Sequence, residues 1–413
     1  MRQSELFTKT RKEAPKGEVA RNAQLLIRAG YIHKEMAGVY SYLPLGLKVF
    51  NNIARIIREE MDAIKGQEIK MTALQSEELW CMTDRWDDEK VDNWFKTKLK
   101  SGTELGLGFT HEEPLTRIMS DHISSYRDLP VLTYQIQTKF RNELRSKSGL
   151  MRGREFSMKD MYSFAKTKKE HEELYAKVRE AYKKIFERVG IGDRTLITFA
   201  SGGVFSKYSE EFQTLCESGE DVIYVDEKKG IAVNKEVLND EVLADLGLDR
   251  NALVEKKAIE TGNIFSLGTR FSEPLKLTYK DEKEQDKPVV MGSYGIGVGR
   301  VMGVLAEILS DEKGLVWPEA VAPFKVHLVS IGADEKVREY AEEVYKGLLE
   351  NDIKVLYDDR DLRAGQKFSD ADLMGLPLRA VISETTMTEG KIEITNRATG
   401  KTSMIDEADV YKL

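Results

Sequence analysis

YQIQTKFRNELRSKSGLMRGREFSMKDMYSF, residues 134–164, is the most informative stretch of the sequence. β-Branched and aromatic residues alternate with polar ones in 129–143 and again in 153–164, which predicts two strands of an antiparallel sheet. Several guanidinium groups on one face of these strands would suit a polyphosphate or a planar carboxylate. Taken alone, the segment also fits a solvated, salt-bridged hairpin. Its charged residues are Arg141, Arg145, Arg152 and Arg154, beside Glu143 and Glu155.

Amphipathic helices are predicted on both sides of these strands. Residues 46–66 and 166–189 carry apolar side chains at helical spacing, and Gly66 and Gly190 stand where each helix should end. Residues 226–258 are mostly polar and predict a short connection or a mini-helix. Together these patterns predict that residues 1–320 form an α+β domain built on an antiparallel sheet.

The pattern changes towards the C-terminus. Pro318 and Pro323 bracket a linker, after which predicted strands and helices alternate through residues 324–413. We therefore expect a separate α/β domain of ordinary small size there.

A glycine-rich segment, GSYGIGVGR at 292–300, precedes an apolar helix predicted over 301–309. It lacks the GxGxxG spacing of a dinucleotide fold and the GK[ST] ending of a P-loop. Arg300 at the start of the helix could meet a phosphate, because closely spaced glycines let the backbone approach a nucleotide. A glycine-rich turn that packs the helix on a strand is an equally good interpretation of this motif alone.

The composition excludes several classes of protein. The 413 residues are 41% hydrophobic and carry a net charge of -7, which indicates a folded, multidomain chain without a general basic coat for nucleic acid. Cys81 and Cys216 lie far apart and outside any Cys/His cluster, so we expect neither a disulfide framework nor zinc. No stretch has the length of a membrane helix or the pattern of a signal peptide, so we expect a cytoplasmic protein with no membrane partner. The five histidines show no spacing typical of a nucleophilic triad.

Seven segments, in this order, resemble the bacterial-type prolyl-tRNA synthetases, a family of class II aminoacyl-tRNA synthetases. They are GVYSYLPLGLKV, LGFTHEEPLTRI, YQIQTKFRNE, LMRGREFSMKDMYSF, MGSYGIGVGR, GLVWPEAVAPF and YDDRDLRAGQKFSDADLMGLP. The pattern FR-x-E, then R-x-REF, then a glycine-rich strand ending in arginine is typical of class II, while THEE and MKDMYSF resemble the enzymes for proline. The resemblance covers the whole chain and is weakest over 200–262.

This resemblance implies the class II synthetase fold in residues 1–320, an anticodon-binding domain in residues 324–413, and a homodimer. Proline, ATP and tRNA(Pro) would be the partners, and Mg²⁺ would accompany ATP, held by phosphates and one or two carboxylates. Activation would need no general base, because the carboxylate of proline is already ionised at neutral pH. Positioning and electrostatic stabilisation would do the work.

Residue roles also follow from the resemblance. Arg141 would hold the α-phosphate and the carboxylate of proline, with Arg300 as the second catalytic residue, and Thr110 and Glu112 would accept hydrogen bonds from the secondary ammonium. The implied ATP-binding residues are Arg141, Glu143, Arg152, Phe156, Glu260, Asn263 and Arg300. The implied proline-binding residues are Thr110, Glu112, Arg141, Met158, Asp160 and Phe265. Arg360, Arg363 and Lys367 would meet the anticodon.

The sequence departs from the family pattern at three places. Thr72 stands where motif 1 usually has proline, while Glu210 and Asn263 stand where histidines are expected. Many bacterial relatives insert an editing domain between motifs 2 and 3, where this chain has only the connection 226–258, so we expect no editing domain. Another class IIa synthetase, or a non-catalytic paralogue that binds tRNA, remains the alternative interpretation.

Overall fold

A computed structural model describes residues 1–201 and 208–413. The α-helices are α1 (Arg21–Arg28), α2 (Pro44–Ala63), α3 (Glu77–Cys81), α4 (Glu112–Ser120), α5 (Lys168–Val189), α6 (Asp240–Leu246), α7 (Val298–Ile308), α8 (Glu335–Glu350), α9 (Ala364–Met374), α10 (Glu384–Thr388) and α11 (Glu407–Val410). In this part of the chain no helix is long and apolar enough to cross a membrane.

The strands are short in the N-terminal region and longest in the middle of the chain. They are β1 (Ile32–Met36), β2 (Val39–Tyr42), β3 (Gln67–Glu68), β4 (Leu74–Ser76), β5 (Phe95–Lys98), β6 (Glu104–Leu107), β7 (Val131–Phe140), β8 (Glu155–Ala165), β9 (Thr195–Ser201), β10 (Tyr208–Leu215), β11 (Asp221–Asp226), β12 (Ile231–Asn234), β13 (Leu253–Gly268), β14 (Thr278–Lys280), β15 (Asp286–Pro288), β16 (Val290–Gly297), β17 (Val326–Ile331), β18 (Val355–Asp358), β19 (Leu378–Ser383), β20 (Lys391–Asn396) and β21 (Thr402–Asp406).

The chain divides into two compact units. One contains residues 54–146 and 152–301, and the other contains residues 1–53, 147–151 and 302–413. The first unit is built on a nine-stranded sheet with the order β10-β9-β12-β11-β13-β16-β8-β7-β3. All its pairings are antiparallel except β3 with β7 and β12 with β9. The predicted antiparallel sheet is confirmed, and β7 and β8 are the two strands expected on either side of the arginine-rich turn.

Helix α5 covers one face of this sheet because its apolar residues recur at helical spacing. Val178, Tyr182 and Phe186 are buried there, and the Tyr182 ring lies 5.3 Å from the ring of Phe212 on β10. The hydroxyl of Thr167 caps the start of the helix by accepting from the amide of Glu170. Gly190 ends it with a φ of 94°, a left-handed conformation that favours glycine. The prediction for residues 166–189 is therefore confirmed.

Residues 226–258 contain more regular structure than their polar sequence predicts. Strand β12 pairs with β9 and β11, and residues 253–258 begin the long strand β13, while α6 is the only α-helix in this stretch. Strand β12 is only four residues long and follows a run of charge, so alternation could not reveal it. The segment thus completes the main sheet.

The second unit contains a five-stranded sheet with the order β18-β17-β19-β20-β21. Strands β17, β18 and β19 are parallel and are joined through α8 and α9, as the alternation in residues 324–413 predicts. Strands β20 and β21 extend the sheet antiparallel. The N-terminal residues also belong to this unit, where the guanidinium of Arg2 bonds to Glu342 at 2.6 Å.

Candidate active site

The start of helix α4 holds an ionised carboxylate. Thr110 donates its hydroxyl to Glu112 Oε2 at 2.6 Å, and Ser293 donates to Glu112 Oε1 at 3.2 Å. Burial raises the pKa of Glu112, but the guanidinium of Arg85 and the hydroxyl of Thr110 outweigh it, so the pKa lies below its ordinary value. A buried carboxylate that stays charged is a suitable acceptor for an ammonium group.

Arg85, which the sequence analysis missed, supports this carboxylate. Its guanidinium carbon lies 5.1 Å from the ring centroid of Trp80 and 5.2 Å from that of Phe109, and Nη1 lies 3.4 Å from Glu112 and 2.9 Å from Glu113. Burial raises the pKa of Glu113 to about 7, with Arg85 opposing the shift. Two carboxylates share one guanidinium, and Glu112 has the lower pKa of the two. Arg85 was not predicted because it lies far in sequence from the THEE motif that contains Glu112.

Asp160 is the second carboxylate of this region and lies on β8. Its Oδ2 accepts hydrogen bonds from Gln135 at 3.0 Å and from the hydroxyl of Tyr162 at 3.0 Å, and lies 2.8 Å from Lys139 Nζ. Its Oδ1 is buried and has no hydrogen-bond partner among residues 1–201 and 208–413. An unsatisfied buried carboxylate oxygen calls for a donor, which a ligand can supply.

Met158 and Phe265 lie on the two strands that flank β16 in the main sheet. Met158 on β8 pairs with Gly297 on β16, and Phe265 on β13 pairs with Ser293 on β16. Both side chains are partly exposed, and Phe265 packs against the aromatic cluster that contains Trp80 and Phe109. Apolar side chains therefore border the carboxylates.

Arg141 follows strand β7 and faces a strongly charged environment. Its guanidinium lies over the Phe156 ring, 5.3 Å from the centroid, and its Nε is buried without a hydrogen-bond partner in the described residues. Burial lowers the pKa of Arg141, as does the neighbouring Arg300, while Glu260 opposes both. Because an arginine remains charged even so, this group offers unsatisfied donor capacity to an anion.

The glycine-rich strand β16 positions Arg300 at the start of α7. Arg300 Nη1 donates to the carbonyl oxygen of Glu260 at 2.6 Å and lies 3.2 Å from its carboxylate. Asn263 donates to Glu260 Oε1 at 2.7 Å and accepts from the amide of Gly295 at 3.2 Å. A Cβ at Gly295 would lie 2.9 Å from Asn263 Oδ1, so a side chain there would displace this amide. The four groups form one connected unit.

Arg152 and Glu143 lie on the exposed turn between β7 and β8. Arg152 donates to Glu143 Oε2 at 2.8 Å and to Glu220 Oε2 at 2.5 Å. Both predicted ATP-binding residues are thus engaged with each other in this structure. Release of Arg152 to a phosphate would leave Glu143 able to accept from another donor.

Glu211 and Asp221 lie near this charged region and were not predicted. Gln213 Nε2 donates to Glu211 Oε2 at 2.8 Å and to Asp221 Oδ2 at 2.9 Å. Burial raises the pKa of Glu211, and the negative charge of Glu260 raises it further. Within residues 1–201 and 208–413, no three His, Cys, Asp or Glu side chains are arranged to hold a metal ion by themselves.

Comparisons with known proteins match both halves of the chain. Residues 95–309 match the tRNA synthetase class II core domain (G, H, P, S and T), and residues 320–413 match the anticodon binding domain. A proline–tRNA ligase of Maricaulis maris is 37% identical over 99% of this chain and 97% of its own length. The chain belongs to the prolyl-tRNA synthetases. A proline–tRNA ligase of Bacillus cytotoxicus is 33% identical over 100% of this chain and 99% of its own length.

Solved prolyl-tRNA synthetases share the fold. The enzyme of Cryptosporidium parvum, complexed with halofuginone and AMPPNP, has a TM-score of 0.77 at 18% identity and covers 94% of this chain and 75% of its own. The enzyme of Giardia lamblia, in complex with prolyl-adenylate, has a TM-score of 0.76 at 20% identity and covers 94% of this chain and 74% of its own. The predicted class II synthetase fold is confirmed.

The alignment with the Bacillus protein has a further consequence for this prolyl-tRNA synthetase. It runs over 561 positions, whereas the present chain has 413 residues, so a large part of that relative has no counterpart here. The Maricaulis alignment runs over only 435 positions. Prolyl-tRNA synthetases of both lengths therefore exist, and this chain is of the shorter kind.

The three departures from the family sequence have different structural settings. Glu210 accepts from Arg179 Nε at 2.6 Å, and Asn263 bonds to Glu260 as described. The backbone oxygen of Thr72 lies 3.0 Å from His111 Nε2. The two glycines at 202–203, which precede Glu210 in the sequence, lie outside the described residues.

The predicted anticodon residues lie in the second unit, around β18 and α9. Arg360 binds Asp358 at 2.7 Å and Asp370 at 2.9 Å, and buried Lys367 donates to the backbone oxygens of Ser330 and Asp358. Arg363, at the start of α9, is exposed to solvent. Of the three cations, Arg363 is the one that faces outward.

Proposed function

We infer that this prolyl-tRNA synthetase activates proline with ATP and then transfers proline to tRNA(Pro). The observation that carries this inference is the arrangement of charge on the central sheet. Arg141 and Arg300 provide positive charge, and the ionised Glu112 provides negative charge close enough to influence the pKa of Arg141. Proline carries a carboxylate next to an ammonium group, so such an arrangement can bind both ends of it.

We propose that the ammonium group of proline binds beside Thr110 and Glu112. Its two N–H donors need acceptors, and Glu112 is held ionised by Arg85. Asp160 offers a further acceptor in its unsatisfied Oδ1. The apolar ring would pack against Met158 and Phe265, which border these carboxylates.

We propose that Arg141 acts on the reacting atoms. The carboxylate of proline attacks the α-phosphorus of ATP, a new phosphorus–oxygen bond forms, and the bond to pyrophosphate breaks in line. The guanidinium of Arg141 stabilises the charge that develops on the α-phosphate, and Arg300 assists from α7. In the second step the terminal hydroxyl of the tRNA attacks the carbonyl carbon, AMP leaves with the electrons of the bond that breaks, and the proton of the hydroxyl is released to water.

We propose that the rest of ATP binds along the turn and the glycine-rich strand. Phe156 would pack against adenine and Glu143 would accept from its amino group, while Arg152 exchanges its ion pairs for the outer phosphates. Glu260 and Asn263 would hold Arg300 in place. The network in which Arg300, Glu260 and Asn263 already bond to one another supports this role.

Mg²⁺ would enter with ATP, bound mostly by the phosphates. Glu211 and Glu260 are the carboxylates of this chain that would hold it, because their charges repel one another and a cation relieves that repulsion. The ion would neutralise phosphate charge, and the chain's own side chains would orient the nucleotide.

We propose the domain division 1–320 for catalysis and 324–413 for anticodon binding, with Arg360, Arg363 and Lys367 as candidate contacts. The match of residues 320–413 to anticodon-binding domains supports it. We further propose a cytoplasmic homodimer. Exposed apolar side chains in the N-terminal region, such as Phe7 at 73% and Leu47 at 47% exposure, support an interface between copies.

Pyrophosphate exchange into ATP, measured with each of the twenty amino acids, tests the proposed activity. Proline alone should support strong exchange. Exchange with threonine, glycine or histidine would indicate another class IIa specificity. No exchange with any amino acid would instead indicate a protein that only binds tRNA.

A further inference from the structure

A buried lysine connects the two acceptor groups of the proposed proline pocket. Lys139, near the end of β7, is fully buried, and its Nζ lies 2.5 Å from His111 Nδ1 and 2.8 Å from Asp160 Oδ2. His111 is the residue between Thr110 and Glu112. One ammonium group thus bonds to the segment before α4 and to strand β8 at the same time.

His111 is suited to accept from this lysine. Its Nε2 lies 3.0 Å from the backbone oxygen of Thr72, which can only accept, so the ring proton resides on Nε2 and leaves Nδ1 as an acceptor. Burial, together with the charge of Lys139, lowers the pKa of His111 to about 4. The ring is therefore neutral at physiological pH. Burial lowers the pKa of Lys139 while the carboxylate of Asp160 opposes that shift, and Nζ lies between the ring and Asp160.

A second link joins the same two elements. The amide of His111 donates to the hydroxyl of Tyr162 at 3.3 Å, and that hydroxyl donates to Asp160 Oδ2 at 3.0 Å. Asp160 Oδ2 is consequently fixed by Lys139, Gln135 and Tyr162, which leaves Oδ1 with no donor in the described structure. The hydrogen bonds to Oδ2 therefore fix the carboxylate of Asp160, and Oδ1 stays available to bind a ligand.

We propose that Lys139 is a positioning residue for proline, which sets the distance between the Thr110–Glu112 acceptors and Asp160 through its bonds to His111 and Asp160. This inference rests on the proposed roles of Glu112 and Asp160 in binding proline. Lys139 does not touch the substrate. It determines where the groups that do touch it are held, and so determines affinity for the amino acid without affecting ATP.

The chain provides a matched control in Lys159. This lysine is also fully buried and lies on β8, next to Asp160, but alternation along the strand directs it to the opposite face of the sheet. There its Nζ bonds to the hydroxyl of Tyr182 and, at 3.1 Å, to the backbone oxygen of Tyr294. Its loss removes a buried lysine of the same sheet without touching the pocket.

The test compares Lys139→Met with Lys159→Met in proline-dependent pyrophosphate exchange. In Lys139→Met we expect the KM for proline to rise about tenfold or more, because buried His111 Nδ1 loses its donor and buried Asp160 Oδ2 loses its cationic partner. The KM for ATP should change by less than about twofold, since ATP makes its contacts elsewhere. Lys159→Met should lower the melting temperature while leaving the KM for proline unchanged.

Two further variants keep the outcome decisive. If Lys139→Met does not fold, His111→Leu removes one of the two bonds of Lys139, and a smaller rise in the KM for proline is expected. Glu112→Gln tests the underlying assignment of the pocket. The KM for proline in Glu112→Gln is compared with that in folded Lys139→Met, or in His111→Leu if Lys139→Met does not fold. A raised value in Glu112→Gln with a normal value in the other variant would overturn the positioning role alone. Normal values in all of them would also overturn the proposed pocket.

Discussion

The guanidinium of Arg141 lies over the ring of Phe156, 5.3 Å from its centroid, at the point where strand β7 gives way to the turn. This stacking holds the group without consuming its hydrogen bonds, since a ring face offers no acceptor comparable to a carboxylate. The result is a guanidinium that is fixed in place and still able to donate. Such preorganisation is what stabilisation of a transition state requires.

Replacement of Arg141 by alanine should therefore reduce proline-dependent pyrophosphate exchange by about 10²–10³-fold, the usual effect of losing one preorganised charge stabiliser. Arg145, exposed on the same turn, provides the control. Arg145→Ala should retain exchange within about threefold, because exposed charges contribute little. Near-normal exchange by Arg141→Ala would disprove the assignment.

The sequence predicted the strands on either side of this turn because polar and apolar side chains alternate along a strand whose two faces differ in polarity. The sequence also predicted most of the site residues that lie near Glu112 and Arg141, because these residues belong to recognisable motifs. Arg85 and Lys139 were not predicted because their roles depend on partners in distant segments. Folding brings Arg85 close to Glu112 and Lys139 close to Asp160. Spacing along a chain cannot reveal such contacts.

The predicted anticodon contacts in the C-terminal region were subject to the same limitation, because the sequence does not show which cations are bound by other parts of the protein. Their number after a strand indicated an RNA surface, but the sequence could not show that Arg360 is held by Asp358 and Asp370 or that Lys367 is buried. Arg363→Glu should raise the KM for tRNA(Pro) about tenfold, because one cationic contact is replaced by repulsion. Proline activation should remain normal, as measured by pyrophosphate exchange.

Arg360→Ala gives the contrasting result. It leaves the fully buried carboxylate of Asp358 without its cation, so the free energy of unfolding should fall by about 3–5 kcal/mol. Unchanged tRNA affinity in Arg363→Glu would rule out that residue as an anticodon contact.

Acid should destabilise the fold through His327. Burial lowers the pKa of His327 to about 4, whereas an exposed histidine in the unfolded chain titrates near 6.5. The unfolded state therefore binds the proton first as pH falls, so the stabilisation is complete above pH 6.5 and is lost between 6.5 and 4. The loss is about 3 kcal/mol for this residue.

Urea unfolding of the wild type and His327→Gln across this pH range would measure the effect. The variant should show a shallower decline in the free energy of unfolding. His33→Gln, at an exposed position, should follow the wild type. Parallel curves for all three proteins would show that His327 does not titrate in this way.

Leu47 provides a test of the proposed homodimer. It is 47% exposed on α2, and we expect it to meet a second copy together with Val39, Tyr40 and Leu43, which are partly buried in the chain. Light scattering should give twice the 47.0 kDa mass of the chain, and Leu47→Glu should shift the mass towards the monomer. Leu99→Glu, at 49% exposure on another part of the chain, should remain dimeric. A monomeric wild type at micromolar concentration would contradict the proposal.

The last prediction concerns errors with alanine. Residues 226–258, which stand where many bacterial relatives carry an editing domain, contribute strand β12, helix α6 and the beginning of β13 to the main unit. Strand β12 pairs with β9 and β11, so this stretch is committed to the catalytic sheet. The Bacillus relative is longer by many positions that have no counterpart here.

A pocket shaped for proline cannot strongly reject a smaller amino acid, because each missing methylene is worth only about 1–3 kcal/mol, or roughly 10–200-fold. Some alanine should therefore be activated and transferred. We expect the purified chain to leave preformed alanyl-tRNA(Pro) intact, with hydrolysis no faster than the spontaneous rate in buffer. Rapid hydrolysis that depends on the enzyme would mean that a second site within these 413 residues removes the error. If Arg141→Ala abolished that hydrolysis as well, the synthetic site itself would be responsible, since water would then attack the ester carbonyl in the place of AMP, and the tRNA hydroxyl would leave with the electrons of the broken bond.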